Sequence, residues 1–170
     1  MIQTPTTLNT TPNLGLSQDQ MHQVEQILQT LLADETLLYQ KLRKFHWNVT
    51  GPQFHALHEQ FEEQYDKLEE TIDDVAERIR AYGFFSHGTL AEFAQNTRLS
   101  EHPGENPEAD VMVQRTIDDH EAVIRHLRND IKAAEDDIYD VGLADFLTAI
   151  LQKHQEQAWM LRAFISGEGI

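Results

Sequence analysis

The residues in this chain with the clearest potential for chemistry are two histidines and two carboxylates. His46 and His58 flank a predicted turn between two helices, and Asp73 and Glu77 follow at positions i and i+4. Positions four apart share one face of a helix. Because imidazole nitrogens and carboxylate oxygens together suit transition-metal ions such as iron and zinc, these residue types indicate a metal site.

Two helices must position these side chains. Ser17 predicts an N-cap with Gln20 as its capping-box partner, and the first helix runs from there to Thr50-Gly51-Pro52. A second helix ends at Gly83 and carries one apolar stripe along about seven turns. The stripe consists of Phe54, Leu57, Phe61, Tyr65, Leu68, Ile72, Val75 and Ile79.

Two further helices complete the pattern. Asn106-Pro107 predicts the start of a third helix, Val141-Gly142 predicts its end, and a fourth helix follows. Residues 84–106 form a long connection, in which 89–94 predicts a short helix. No segment alternates with period two, so no strand is expected. The sequence therefore predicts an all-α, ferritin-like four-helix bundle with a short extra helix in the long connection between helices 2 and 3.

The spacing of the candidate ligands constrains how they could meet. On a helical wheel they form a stripe beside the apolar stripe, facing a neighbour or solvent. His58 and Asp73 lie roughly 22 Å apart along the axis at about 1.5 Å per residue, whereas a metal–ligand bond is about 2 Å. One chain therefore cannot place both on one ion. Two chains meeting antiparallel about a two-fold axis would bring His46 and His58 of one chain to Asp73 and Glu77 of the other.

Each of these residues also has a plain structural explanation. Residues 59–78 are rich in acids, so an Asp/Glu pair four apart is common on such a solvated helix face. A histidine beside Trp47 at a helix end could simply pack there. Elsewhere, His154 lies on the apolar stripe of the fourth helix and is expected to be a packed or pore-facing structural histidine, while His120 gives no specific signal. Only the combination of ligand types favours a metal site.

Bulk composition excludes several classes of protein. The chain has 170 residues, a formal net charge of −16 and no cysteine, which excludes disulfides and Cys-based zinc sites. A surface this acidic repels nucleic acid and anionic membranes. We find no apolar run long enough for a membrane helix and no signal-peptide pattern, so a cytoplasmic protein is expected. Residues 1–16 are expected to form a flexible N-terminal arm, and residues 17–170 the ferritin-like bundle domain.

The region of the candidate ligands resembles the Dps family, ferritin-like proteins named for DNA protection in starved cells. Generic di-iron bundle proteins carry Glu-x-x-His pairs, which this sequence lacks. Helix lengths and the long connection fit the family over residues 17–168. The matching segments are Lys44-Phe45-His46-Trp47-Asn48-Val49-Thr50-Gly51, Phe54, Leu57-His58-Glu59, Phe61, Tyr65 and Asp73-Asp74-Val75-Ala76-Glu77-Arg78-Ile79.

This resemblance implies a hollow homo-dodecamer with tetrahedral symmetry and ferroxidase centres at its two-fold interfaces. His46 and His58 would be ligands from one subunit. Asp73 and Glu77 would be ligands from its partner. The mixed ligand set would bind Fe(II), and these four residues would carry the catalysis.

The resemblance also implies roles for residues around the centre. Glu62, one turn after His58, matches a position that is often Asp in the family and would be a further metal ligand. Trp47 would lie beside the centre, supporting its ligands or quenching radicals. Asp145 matches a position that lines an iron-uptake pore at a three-fold axis. Three nearby acids could extend a negative funnel that concentrates cations: Asp136, Asp137 and Asp140.

The function implied is oxidation of Fe(II), with hydrogen peroxide as the preferred oxidant, and storage of Fe(III) as protection against oxidative damage. Two alternatives remain open: a shell that condenses DNA, and a protein that sequesters zinc with the same ligands. Family members that bind DNA often use Lys/Arg-rich tails. Residues 1–18 contain no charged side chain, so direct DNA binding is not expected. Zinc could occupy or inhibit the same site.

Overall fold

The structure is a computed structural model that describes residues 12–166, and within that range it contains helices but no strand. The helices α1 and α2 pack along each other, as do α4 and α5, while the short α3 lies against α1. The prediction of an all-α four-helix bundle with an extra helix in the long connection is confirmed. The helices are α1 (Gln18–Asn48), α2 (Phe54–Ala81), α3 (Leu90–Asn96), α4 (Ala109–Ala133) and α5 (Val141–Ser166).

The first two helices begin and end where local sequence signals predict. The Ser17 hydroxyl accepts a hydrogen bond from the Gln20 backbone N–H, and the Gln20 side chain accepts one from the Ser17 N–H at 2.8 Å. Gly51 lies in the turn after α1 and has φ +110°. Gly83 follows α2 with φ +91°, and a Cβ there would lie 2.7 Å from the Pro12 side chain. Both the backbone conformation and this contact therefore require glycine at position 83.

The predicted start of the third long helix was wrong. The helix α4 begins at Ala109 rather than after Asn106-Pro107, and its N-cap is Glu108. The Glu108 side chain makes no capping hydrogen bond, so the cap residue carries no side-chain signal of the usual kind.

The predicted break at Val141-Gly142 was also wrong. The helix α4 continues into a π-helical turn, Ala134–Ile138, and Tyr139 then adopts a left-handed conformation with φ 59°. Val141-Gly142 instead forms the first turn of α5. Asp140 acts as the N-cap of α5, because its Oδ1 accepts a hydrogen bond from the Leu143 N–H at 3.0 Å.

The hydrophobic core lies between the four long helices and explains the stripe on α2. Along that stripe, Tyr65 and Ile72 are partly buried and Phe54 at the helix start is exposed. The remaining members are buried: Leu57, Phe61, Leu68, Val75 and Ile79. Burying one face of α2 leaves the acidic face outward, where the candidate ligands lie.

Most of the predicted N-terminal arm, residues 1–11, lies outside the described residues, as do residues 167–170. Residues 12–16 form no helix, and Leu16 packs against the core. No helix in the described part of the chain combines the length and the apolar character needed to cross a membrane.

A buried ion-pair cluster fixes the long connection to the bundle. Arg98 donates from Nε to Asp34 at 2.7 Å and from Nη1 to Asp130 at 2.9 Å. Asp34 is fully buried and also accepts hydrogen bonds from the Thr97 hydroxyl and the Arg98 backbone N–H. The cluster therefore joins α1, the connection and α4.

Replacing Arg98 with methionine should lower the free energy of unfolding by about 3–5 kcal/mol, because the buried Asp34 would lose its charge partner. Urea denaturation followed by circular dichroism measures this change. The matched control is Arg128→Met at an exposed arginine of α4, with an expected effect within about 0.5 kcal/mol. Equal effects of the two substitutions would contradict a structural role for the cluster.

Candidate metal site

The candidate metal site lies where the turn after α1 brings the end of that helix beside the start of α2. Nδ1 of His46 lies 2.8 Å from the carbonyl oxygen of His58, and Nδ1 of His58 lies 2.8 Å from the carbonyl oxygen of His46. A carbonyl oxygen can only accept, so each ring donates its Nδ1–H. In the neutral rings, both Nε2 atoms are then left unprotonated and available to a metal ion.

These two rings and one carboxylate form a compact donor set. The rings of His46 and His58 stack with centroids 3.7 Å apart. His46 is buried and His58 is partly buried, while Glu62 is exposed. A ligand atom from each of the three lies within 4.8 Å of the other two. Two nitrogens and one oxygen suit Fe(II) or Zn(II) and leave further coordination positions open.

Tyr65 holds two members of this set in place. Its hydroxyl donates to Oε1 of Glu62 at 3.2 Å, and its ring contacts His46 edge-on with centroids 5.4 Å apart. Burial and the neighbouring Glu62 raise the pKa of Tyr65 above its usual value, so the hydroxyl remains a donor. The sequence places Tyr65 on the apolar stripe and among the segments that match the family, but neither observation predicted a role at the site. Its position three residues after Glu62 was the available signal.

Trp47 follows His46 directly at the exposed end of α1. Its side chain is 57% exposed, and the Arg43 guanidinium lies 5.0 Å from its ring centroid. Arg43 also lies over the ring of Tyr39, to whose hydroxyl it donates at 3.3 Å. The indole is thus held by a cation–π contact while its surface stays open to solvent. The prediction that Trp47 supports the centre stays a prediction.

The carboxylates Asp73 and Glu77 lie apart from the histidines, as the helix spacing requires. Both are exposed on the outer face of α2. Asp73 lines a shallow surface groove together with Ile72 and Ala76. One chain therefore brings together His46, His58 and Glu62 and leaves the other two predicted ligands free. Their role as ligands stays a prediction.

The four predicted pore acids all lie near the junction of α4 and α5. Asp136, Asp137 and Asp145 are exposed. Asp140 is already engaged, since it caps α5 and its Oδ2 accepts from the Tyr82 hydroxyl at 2.6 Å. Burial and this hydrogen bond raise the pKa of Tyr82 to about 12. Asp140 thus has a structural task, and a pore role for these residues stays a prediction.

Known proteins resemble the chain in both sequence and fold. The family model for the ferritin-like domain matches residues 25–168. An uncharacterised low temperature-induced protein of Nostoc sp. strain PCC 7120 is 46% identical over 158 residues, covering 93% of this chain and 88% of that protein. DNA protection during starvation protein 2 of Bacillus anthracis is 37% identical, covering 85% of this chain and 97% of that protein.

A solved structure has the same fold as this chain. The DPS protein from Vibrio cholerae O1, described as a member of a broad superfamily of ferritin-like diiron-carboxylate proteins, aligns with a TM-score of 0.83. It is 25% identical in sequence, and the alignment covers 94% of this chain and 99% of that chain. The fold prediction of a ferritin-like bundle is confirmed.

Removing the Tyr65 hydroxyl should weaken metal binding without altering the fold. Tyr65→Phe takes one hydrogen bond from Glu62, so the affinity for Co(II) should fall about two- to tenfold. Isothermal titration with Co(II) measures the change, and Tyr139→Phe at a 75% exposed tyrosine is the control. Equal affinities of the two variants would show that Tyr65 does not position Glu62.

Proposed function

Because this chain belongs to the Dps family of ferritin-like proteins, we propose that it is a peroxide-dependent ferroxidase that stores Fe(III) in a hollow dodecamer. The observation that carries the proposal is the cluster of His46, His58 and Glu62, whose ligand atoms lie within 4.8 Å of one another. Neutral imidazole nitrogens and a carboxylate oxygen bind Fe(II) well while leaving positions open for an oxidant. Iron is here the substrate.

The proposed centre is shared between two chains. Asp73 and Glu77 of a second chain would complete the ligand set of His46, His58 and Glu62 across a two-fold axis. The exposure of both carboxylates supports this arrangement, because they remain available to a partner. A two-fold contact is isologous, so one interface would create two equivalent centres. Protection against oxidative damage would then depend on assembly.

The proposed reaction balances with two iron ions. Two Fe(II) ions each give one electron, hydrogen peroxide takes both electrons and two protons, and two water molecules form with two Fe(III) ions. Taking the electrons as a pair avoids releasing hydroxyl radical. In this reaction, the role of the protein would be to present the Nε2 atoms of His46 and His58 without protons and to supply the negative charge of Glu62.

Iron uptake would use the acidic end of the bundle. We place Asp145 at a pore on a three-fold axis, with Asp136 and Asp137 as exposed acids that raise the local Fe(II) concentration. Asp140 would contribute charge while capping α5. The Fe(III) product, a harder ion, would move to acidic sites of the shell interior.

The alternatives have less support. The three-ligand cluster also suits Zn(II), so zinc is a competing occupant and an expected inhibitor. DNA condensation is not proposed for this chain, because its net charge is −16 and residues 1–18 contain no basic side chain.

The deciding experiment loads the assembled protein with Fe(II) under anaerobic conditions and then adds peroxide or oxygen separately. The absorbance of Fe(III) should rise faster with peroxide. His58→Ala should slow this step by at least about tenfold, because losing even a hydrogen-bond partner of a metal ligand costs about ten- to a hundredfold in affinity or activity. The control is His55→Ala, because His55 is an exposed histidine on the same helix and should leave the rate unchanged.

Two results would overturn the proposal. One is Fe(III) formation no faster than in protein-free solution, which would contradict ferroxidase activity. The other is equal oxidation rates in His58→Ala and His55→Ala, which would contradict a role for His58 at the metal site. Size and mass of the particle, measured on the same samples, test the dodecamer separately.

A further inference from the structure

A second group of titratable side chains lies inside the bundle, away from the candidate metal site. Glu35 of α1, His120 of α4 and His154 of α5 are each at most 1% exposed, and Gln64 of α2 lies beside them. His154 is packed in the core, as its apolar position predicts. His120 carried no sequence signal. All four long helices thus contribute one polar side chain to what we call the core network.

The core network is one continuous chain of hydrogen bonds. Nε2 of His154 lies 2.8 Å from Oε1 of Glu35, and Nδ1 of His154 lies 2.8 Å from Nδ1 of His120. Nε2 of His120 lies 3.2 Å from Oε1 of Gln64. The Gln64 amide then donates to the carbonyl oxygen of Gln157 at 3.3 Å. Four links join five residues, and each link needs one proton.

The core network needs more protons than its residues carry in their usual forms. Gln64 uses its NH₂ group on the Gln157 carbonyl, so its oxygen faces His120 and can only accept. The three remaining links therefore require three protons from Glu35, His120 and His154. A carboxylate with two neutral imidazole rings supplies only two. Any arrangement with two protons leaves one pair of lone-pair atoms facing each other in a dry core, which is costly.

We propose that the core network is a proton-binding site, which holds one proton more than a carboxylate with two neutral imidazole rings. The additional proton makes His154 an imidazolium paired with the Glu35 carboxylate. Full burial and the neighbouring charge of His154 lower the pKa of His120 well below its usual value, so His120 stays neutral and accepts from His154. The second oxygen of Glu35 is buried without a hydrogen-bond partner among the described residues, so the carboxylate needs this cation.

The network is unsuited to a metal ion in this arrangement. A set of three groups around one ion needs one ligand atom from each to lie close together, and Glu35, His120 and His154 do not form such a set in the described chain. Glu35 and His120 instead bond to opposite nitrogens of the His154 ring. A proton fits each short link where an ion does not.

The proton count makes the stability of the bundle depend on pH in two directions. Above about pH 6.5, both histidines of the unfolded chain are neutral, and the folded network holds one more proton. The equilibrium constant for unfolding should therefore rise about tenfold per pH unit from this network. Between about pH 4.5 and 6.5, the unfolded histidines hold two additional protons and the network only one, so the constant rises as pH falls. The network stabilises most near pH 6.5.

Proton release on unfolding tests the proposal directly. The assembled protein is unfolded by guanidinium in weakly buffered solution at pH 8, and an indicator dye counts the protons. The wild type should release about one more proton per chain than Glu35→Gln, which has no carboxylate to hold the imidazolium. The control is Glu69→Gln at an exposed glutamate of α2, which should match the wild type. Equal release from wild type and Glu35→Gln would overturn the proposal.

A second measurement holds even where Glu35→Gln fails to fold. Neutron diffraction from deuterated wild-type crystals at pH 8 shows deuterons directly. Three deuterons should occupy the links that join Glu35, His154, His120 and Gln64. Two deuterons in those links would overturn the proposal. Neither result depends on iron or peroxide, so the proposed ferroxidase function can fail while this inference stands.

Discussion

The rigidity of one helix governs the organisation of this protein. The helix α2 carries His58 and Glu62 near its start and Asp73 and Glu77 near its end. A straight helix holds His58 and Asp73 roughly 22 Å apart, and the buried stripe that fixes α2 in the bundle prevents the helix from bending to close that distance. In the proposed centre, the half-site of one chain is therefore incomplete, and a second chain would complete it. Under this proposal, a complete metal centre forms only when two chains assemble.

The helix α2 also separates two kinds of polar chemistry. Glu62 points to the outer surface, Gln64 is buried in the core network, and Tyr65 lies between them at the edge of the core. On the outer side, each of the rings of His46 and His58 is fixed by the backbone carbonyl of the other residue, so in the neutral rings the Nε2 atoms carry no proton. On the inner side, hydrogen bonds link the histidines to each other and retain protons. In the two proposals, histidine thus serves both a metal site and a proton site, and the hydrogen-bond partners of its nitrogens distinguish the two roles.

Much of the fold could be predicted because local rules set it. The Ser17 capping box and Gly83 act through their immediate neighbours, and the structure has both. Two predicted helix boundaries were wrong for physical reasons. Glu108 caps α4 without a side-chain bond, and the left-handed residue before α5 is Tyr139 rather than glycine. Asp140 could have predicted the N-cap of α5, but it was predicted only as a residue of the iron-uptake pore.

At the site, residue types and spacing indicated a metal ligand set, and the family resemblance supplied iron. Tyr65 and the core network were not predicted as functional groups. Glu35, Gln64, His120 and His154 are far apart in sequence, and only the packing of four helices brings them together. No spacing rule within one segment could have found them.

Mixed assemblies test most directly whether each proposed metal centre uses two chains. One chain carries His46→Ala and His58→Ala, and the other carries Asp73→Asn and Glu77→Gln. Each alone should form inactive particles. In particles assembled from an equal mixture, half of the two-fold interfaces pair unlike chains, and each of these holds one intact centre. Peroxide-driven Fe(II) oxidation should therefore return to about a quarter of the wild-type rate. A mixture as inactive as its components, despite verified mixing, would contradict the shared centre.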